Sequence, residues 1–153
     1  MLRQDNKVFY GIIILILILD QITKWLISSN MNLGQAWPED GIFRIVYVLN
    51  TGSAFGMFQG FTGLLTIVSF VGIILIGYLF FRSEDQSGFY KLGLAMILSG
   101  ALGNLIDRIV NGAVVDFLSV GWWPVFNLAD SSISVGMVIF IFSILFLNKN
   151  SST

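Results

Sequence analysis

The chain of 153 residues contains no cysteine, no histidine and two prolines, and only 11% of its residues are charged. Each shortage removes a class of chemistry. Without cysteine there is no disulfide and no thiol nucleophile. Without histidine there is no imidazole base, no zinc site of the usual His or Cys type and no Ser-His-Asp triad. Soluble domains carry roughly 25% charged residues, and a mean hydropathy of +0.84 leaves no water-soluble fold open. A formal net charge of -1 and the lack of a basic cluster give nucleic acid nothing to bind. Catalysis, if present, falls to carboxylates, lysine or hydroxyls.

What the chain does have is apolar length. Crossing a bilayer core takes about 20 apolar residues as a helix. Residues 8–27, 61–81, 89–106 and 128–147 meet that need. The runs are continuous rather than alternating, which argues against strands. The sequence predicts an all-α integral membrane protein of four transmembrane helices, read as one domain over residues 1–153. The first run is longer than the ~7–15 residues of a signal-peptide core and is read as a retained helix. Basic residues set the orientation. Arg3, Lys7, Arg82, Lys91 and Lys149 fall on one side, against Lys24, Arg44 and Arg108 on the other. That excess predicts both termini in the cytoplasm, with loops 28–60 and 107–127 outside.

The few ionisable groups collect at the outer face, where each has a plain structural reading beside a functional one. Asp20 and Lys24 stand at i,i+4 on the first run in the orientation that favours pairing. A self-neutralising ion pair, with Lys24 snorkelling to the interface, is preferred there over direct catalysis. Ala95, Ser99 and Gly103 form a smooth stripe for close helix approach. The helix then presents Asn104, Asp107 and Arg108, and an interfacial cap with a local Asp107–Arg108 pair is as good a reading as a site. Residues 42–48 alternate imperfectly between β-branched and aromatic side chains, which predicts a strand ended by a turn at Asn50-Thr51-Gly52. Residues 53–58 are expected to form a short interfacial helix. Asp116 is a carboxylate among apolar neighbours. Asp130 falls in the first turn of the last helix, where Asn127 can cap, so it has a structural role available. Trp122, Trp123 and Pro124 read as an interfacial anchor that returns the two acids to similar depth.

Five stretches together resemble one family, the lipoprotein signal peptidases (signal peptidase II) of bacterial membranes. They are Asp20-Gln21-Ile22-Thr23-Lys24, Asn50-Thr51-Gly52-Ser53-Ala54-Phe55, Gly100 to Arg108, Gly112-Ala113-Val114-Val115-Asp116-Phe117, and Trp123 to Asp130. They occur in the family's order, with Ser53 standing where alanine is expected. The resemblance implies an aspartyl endopeptidase of the bacterial inner membrane, working at the extracytoplasmic side. Its substrate is a prolipoprotein whose cysteine carries a diacylglyceryl group, cut just before that cysteine. The catalytic pair falls on Asp116 and Asp130. Supporting positions fall on Asp20, Lys24, Asn50, Gly52, Asn104, Asp107, Arg108 and Asn127. A sheet-like cradle is implied for the first outward loop, with segment 37–60 as a clamp over the site. No metal or organic cofactor is expected, and membrane lipids and the lipidated substrate are the expected partners of a monomer. Three rivals differ in chemistry: a proton-coupled transporter, a Ser–Lys peptidase using Ser53 or Ser99 with Lys24, and a metal-dependent headgroup transferase.

Overall fold

The computed structural model describes residues 2–52, 59–82 and 87–147. Four helices dominate it: α1 (Leu2–Asn30), α2 (Thr62–Arg82), α3 (Gly88–Asn111) and α4 (Leu128–Phe142), the last continuing as a π turn over Ser143–Leu147. All four are long and apolar enough to cross a membrane, over Lys7–Asn30, Thr62–Arg82, Gly88–Asn111 and Leu128–Phe146. Each satisfies its own backbone groups, which hydrocarbon requires. Ile14, Leu15, Ile18 and Ile22 on α1, and Ile67, Val71, Ile74 and Leu75 on α2, are exposed. In a bilayer these faces meet acyl chains. The fold is that of a multi-pass membrane protein.

Helix α3 is the centre, packed against α1, α2 and α4. The expectation ended it near Ile106, but it runs on to Asn111. Asp107 and Arg108 do not stop it because both find partners within the protein, as described below. It ends where Gly112 adopts a left-handed conformation (φ 71°) and donates its N–H to the Arg108 carbonyl. The closest approach is between α3 and α4. A Cβ placed on Gly93 would lie 2.7 Å from the Phe140 backbone nitrogen and 2.8 Å from the Gly136 carbonyl oxygen. The expected stripe faces other helices: Ala95 packs with Phe9 of α1 and Phe80 of α2, and Gly103 lies against the Asp20 side chain.

The predicted strand exists as β2 (Phe43–Asn50), the middle of a three-stranded antiparallel sheet between β1 (Ala36–Trp37) and β3 (Val114–Val120). β1 and β2 form the sheet-like cradle implied for the first outward loop; β3 was not anticipated, and the β1 strand was not read from its own residues. β1 is two residues long, and Val114–Phe117 is buried on both faces, so it lacks the alternation that marks a half-exposed strand. Pairing sets Val48 opposite Asp116 and Asn50 opposite Val114, after a register shift between Ile45 and Val48. The sheet therefore carries Asn50 and Asp116 on neighbouring strands. The short helix expected over 53–58 lies outside the described residues.

Candidate active site

Part of the bundle's interior is polar. Asp20, Lys24, Asn104, Asp107, Asp116 and Asn127 are all buried. Lys24 forms the i,i+4 pair with Asp20 at 2.8 Å. It does not snorkel outward as expected. Its ammonium turns inward to Asp107 at 3.0 Å and to Asn104 Oδ1 at 3.0 Å, so three acceptors meet three N–H donors. Two carboxylates and an amide oxygen outcompete the headgroup layer. The local Asp107–Arg108 pair is not formed among the described residues either. Asp107 accepts from Lys24, from Gln21 at 3.2 Å and from the Val115 N–H at 3.1 Å. Arg108 points the other way, to Ser69 Oγ of α2 at 3.3 Å and the Gly52 carbonyl at 3.5 Å.

This buried network holds the two flanks of the candidate pair. Asp20 accepts the Ala129 N–H at 2.9 Å, one of the unpaired donors at the start of α4. Asp107 holds Val115, the neighbour of Asp116. Asn127 caps α4 as expected, and in reciprocal form. Its side chain accepts from the Asp130 N–H at 2.8 Å, while the Asp130 carboxylate accepts from the Asn127 N–H at 3.2 Å.

Amides then surround both acids. Asp116 accepts from Asn50 Nδ2 at 2.8 Å and from Asn127 Nδ2 at 2.7 Å. Asp130 accepts from Asn104 Nδ2 at 2.8 Å. Asn50 is itself held by a 2.9 Å bond from the Gly52 N–H to its Oδ1. The two carboxylates open into one cavity of about 670 Å³, which Asn50, Gly52, Asn104 and Arg108 also line. Asp20, Lys24, Asp107 and Asn127 stand behind its wall. Burial pushes the Asp116 carboxyl up to about 7, and the nearby Asp130 charge pushes it the same way. The Asn50 and Asn127 N–H groups and the Lys24 charge only partly oppose this.

Two residues in this constellation carry no signal strong enough to find from sequence. Gln21 bonds Asp20, the Gly103 carbonyl and Asp107 from one amide. Ser69 is one of several hydroxyls in an apolar run, and only the packing of α2 on α3 brings it to Arg108.

The family model described as signal peptidase (SPase) II matches residues 12–146. The chain belongs to the signal peptidase II family. That makes it a protease. It is 40% identical over 146 residues to the lipoprotein signal peptidase of Geobacter sulfurreducens, covering 90% of this chain and 91% of that protein. It is 36% identical over 149 residues to the lipoprotein signal peptidase of Fusobacterium nucleatum, covering 95% and 90%. A solved bacterial membrane enzyme superposes with a TM-score of 0.87 at 30% identity, covering 95% of this chain and 92% of its own. Membership rests on nearly the whole chain, including both spans and loops.

Proposed function

We propose that this signal peptidase II family member cleaves the signal peptide from diacylglyceryl-modified prolipoproteins just before the lipidated cysteine, with Asp116 and Asp130 as its catalytic pair. One observation supports this most: the two carboxylates, on a strand and on a helix terminus, open into the same cavity and are tied together through Asn127. Water attacks the scissile carbonyl as one carboxylate takes its proton, while the other, protonated, donates to the carbonyl oxygen. Two neighbouring acids in a poorly solvated site share one proton at working pH, and the raised Asp116 agrees with that. Arg108 and Asn104 line the cavity, with N–H groups suited to a substrate backbone. A Ser99–Lys24 mechanism is disfavoured, since Ser99 Oγ donates to the Met96 carbonyl and the Lys24 donors are committed.

The test is cleavage by purified protein of a diacylglyceryl-modified peptide beside the same peptide unmodified. Cutting of the lipidated form, undiminished by chelator, is the expected result. Equal cutting of both would remove the lipid from the recognition, and chelator sensitivity would move the mechanism to a metal.

The cavity is further proposed to open on the extracytoplasmic side of the bacterial inner membrane, with both termini in the cytoplasm, because basic residues favour that orientation. The absence of native cysteine makes labelling clean. Gln35→Cys and Trp122→Cys should react with an impermeant maleimide in sealed cells, and Gln86→Cys only after permeabilisation. Labelling of Gln86→Cys in sealed cells would invert the topology.

A further inference from the structure

The three amides around the aspartates have a fixed polarity, and each is fixed by a group that can only donate. The Lys24 ammonium has donors and no acceptor. The Asn104 atom 3.0 Å from it is therefore oxygen, and the NH₂ is what meets Asp130 at 2.8 Å. The Asp130 N–H takes the oxygen of Asn127 in the same way and leaves its NH₂ for Asp116. The Gly52 N–H takes the oxygen of Asn50, leaving that NH₂ for Asp116 as well. Two of these locks are backbone groups. The third is a side chain on another helix, which touches neither catalytic acid.

We propose that Lys24 is a positioning residue for the aspartate pair: by holding the Asn104 carbonyl it turns the amide N–H onto Asp130 and leaves the shared proton on Asp116. The inference rests on the two-aspartate reading and adds to it which acid holds the proton and what keeps it there. With Asn104 reversed, its oxygen would face Asp130, and only a protonated carboxyl could bond it. The proton would then pass from Asp116 to Asp130, and the pair would start from the wrong end. Asn127 Nδ2 also approaches Asn104 Oδ1, at 3.1 Å, but spreads its hydrogens over Asp116 and the Val115 carbonyl too. Lys24 is the charged and nearer hold. The other groups facing the pair divide. Asn50 on β2 and Asn127 before α4 donate to Asp116 and oppose its protonation, which burial outweighs, whereas Asp130 sits in the first turn of α4, where the helix dipole favours a carboxylate; Arg108 on α3 lines the same cavity. Asp116 is 2% exposed and, as noted, holds its proton up to about 7.

Replacing Lys24 alone would strand two buried carboxylates, so the variant of choice is Asp20→Asn/Lys24→Met, which keeps the net charge of the cluster. Its kcat on a lipidated peptide should fall about 100-fold with KM within twofold, the pattern of a misplaced acid–base group rather than lost binding. In an Asn104→Ala background the same double change should cost less than twofold more, because the lever it acts on is gone. Losses that multiply in that background, or a raised KM at unchanged kcat, would overturn the proposal. An infrared readout does not depend on turnover. At pH 6 the protonated-carboxyl band of the parent protein should vanish with Asp116→Asn and survive Asp130→Asn. In the Asp20→Asn/Lys24→Met background the dependence should reverse. The same assignment in both backgrounds would overturn the role given to Lys24. A parent protein that cleaves no lipidated substrate would instead count against the proposed activity and leave the infrared test standing.

Discussion

Asp116→Asn and Asp130→Asn should each lower turnover of a lipidated substrate by about 10³-fold or more, and the double variant should be scarcely worse than either single one. The reason is the sharing. Two carboxylates that hold one proton act as a unit, and removing either abolishes the acid, the base or the proton exchange between them. Both variants should remain folded. The Asp116→Asn amide oxygen still accepts from one of Asn50 and Asn127, at the cost of the other bond, and the capping bond from the Asp130 N–H to Asn127 Oδ1 uses the backbone, which Asp130→Asn leaves in place. The pH dependence follows from the same pair. In the proposed mechanism Asp116 donates to the carbonyl and must be protonated to do so, and its carboxyl is pushed up to about 7 by burial first and by the Asp130 charge second. Activity is therefore expected on the acid side of that value, with kcat/KM falling as pH rises through it. A profile flat from pH 6 to 9, or an Asp116→Asn protein that still turns over, would remove Asp116 from the mechanism.

Gly93→Val is expected to be a strongly damaging packing change. The new side chain would meet backbone atoms of α4 (Phe140 N, Phe140 Cα and the Gly136 carbonyl oxygen, all within 2.8 Å of its Cβ), and backbone cannot move aside as a flexible side chain can. Pushing α4 away from α3 also loosens the Ser132 hydroxyl bond to the Met96 carbonyl and shifts the start of α4, where Asp130 sits. Overpacking typically costs about 1–3 kcal/mol, and contact with backbone places this change at the upper end. Gly72→Val and Gly77→Val on α2 are the controls, since nothing lies within 4 Å of either Cβ. Thermal unfolding in detergent should separate them clearly. If Gly93→Val melts with the α2 controls, the close α3–α4 contact is not how the bundle is held.

The helices were readable because a bilayer imposes a single-chain rule. About 20 apolar residues must satisfy their own backbone, and that condition is local to each run. The cap at Asn127 and the strand over residues 43–50 were readable for the same reason, as both rest on neighbouring residues. The acids could be singled out because a charge in so apolar a chain is conspicuous, and the five matching stretches tied them to a family. Their partners could not be read in this way. Lys24 carries a local signal for Asp20 only, and its turn towards Asn104 and Asp107 depends on α3 lying beside α1. Asp107 and Arg108 are adjacent in sequence yet diverge to Lys24 and Ser69, because successive residues on a helix point to different neighbours. β3 was invisible because burial on both faces erases the alternation that marks a strand, and its pairing with β2 is what sets Asn50 beside Asp116. Apolar runs and caps are settled by residues a few positions apart. The polarity of the Asn104 amide and the opening of Asp116 and Asp130 into one cavity join groups from separate helices and strands, and only the packed chain brings those together.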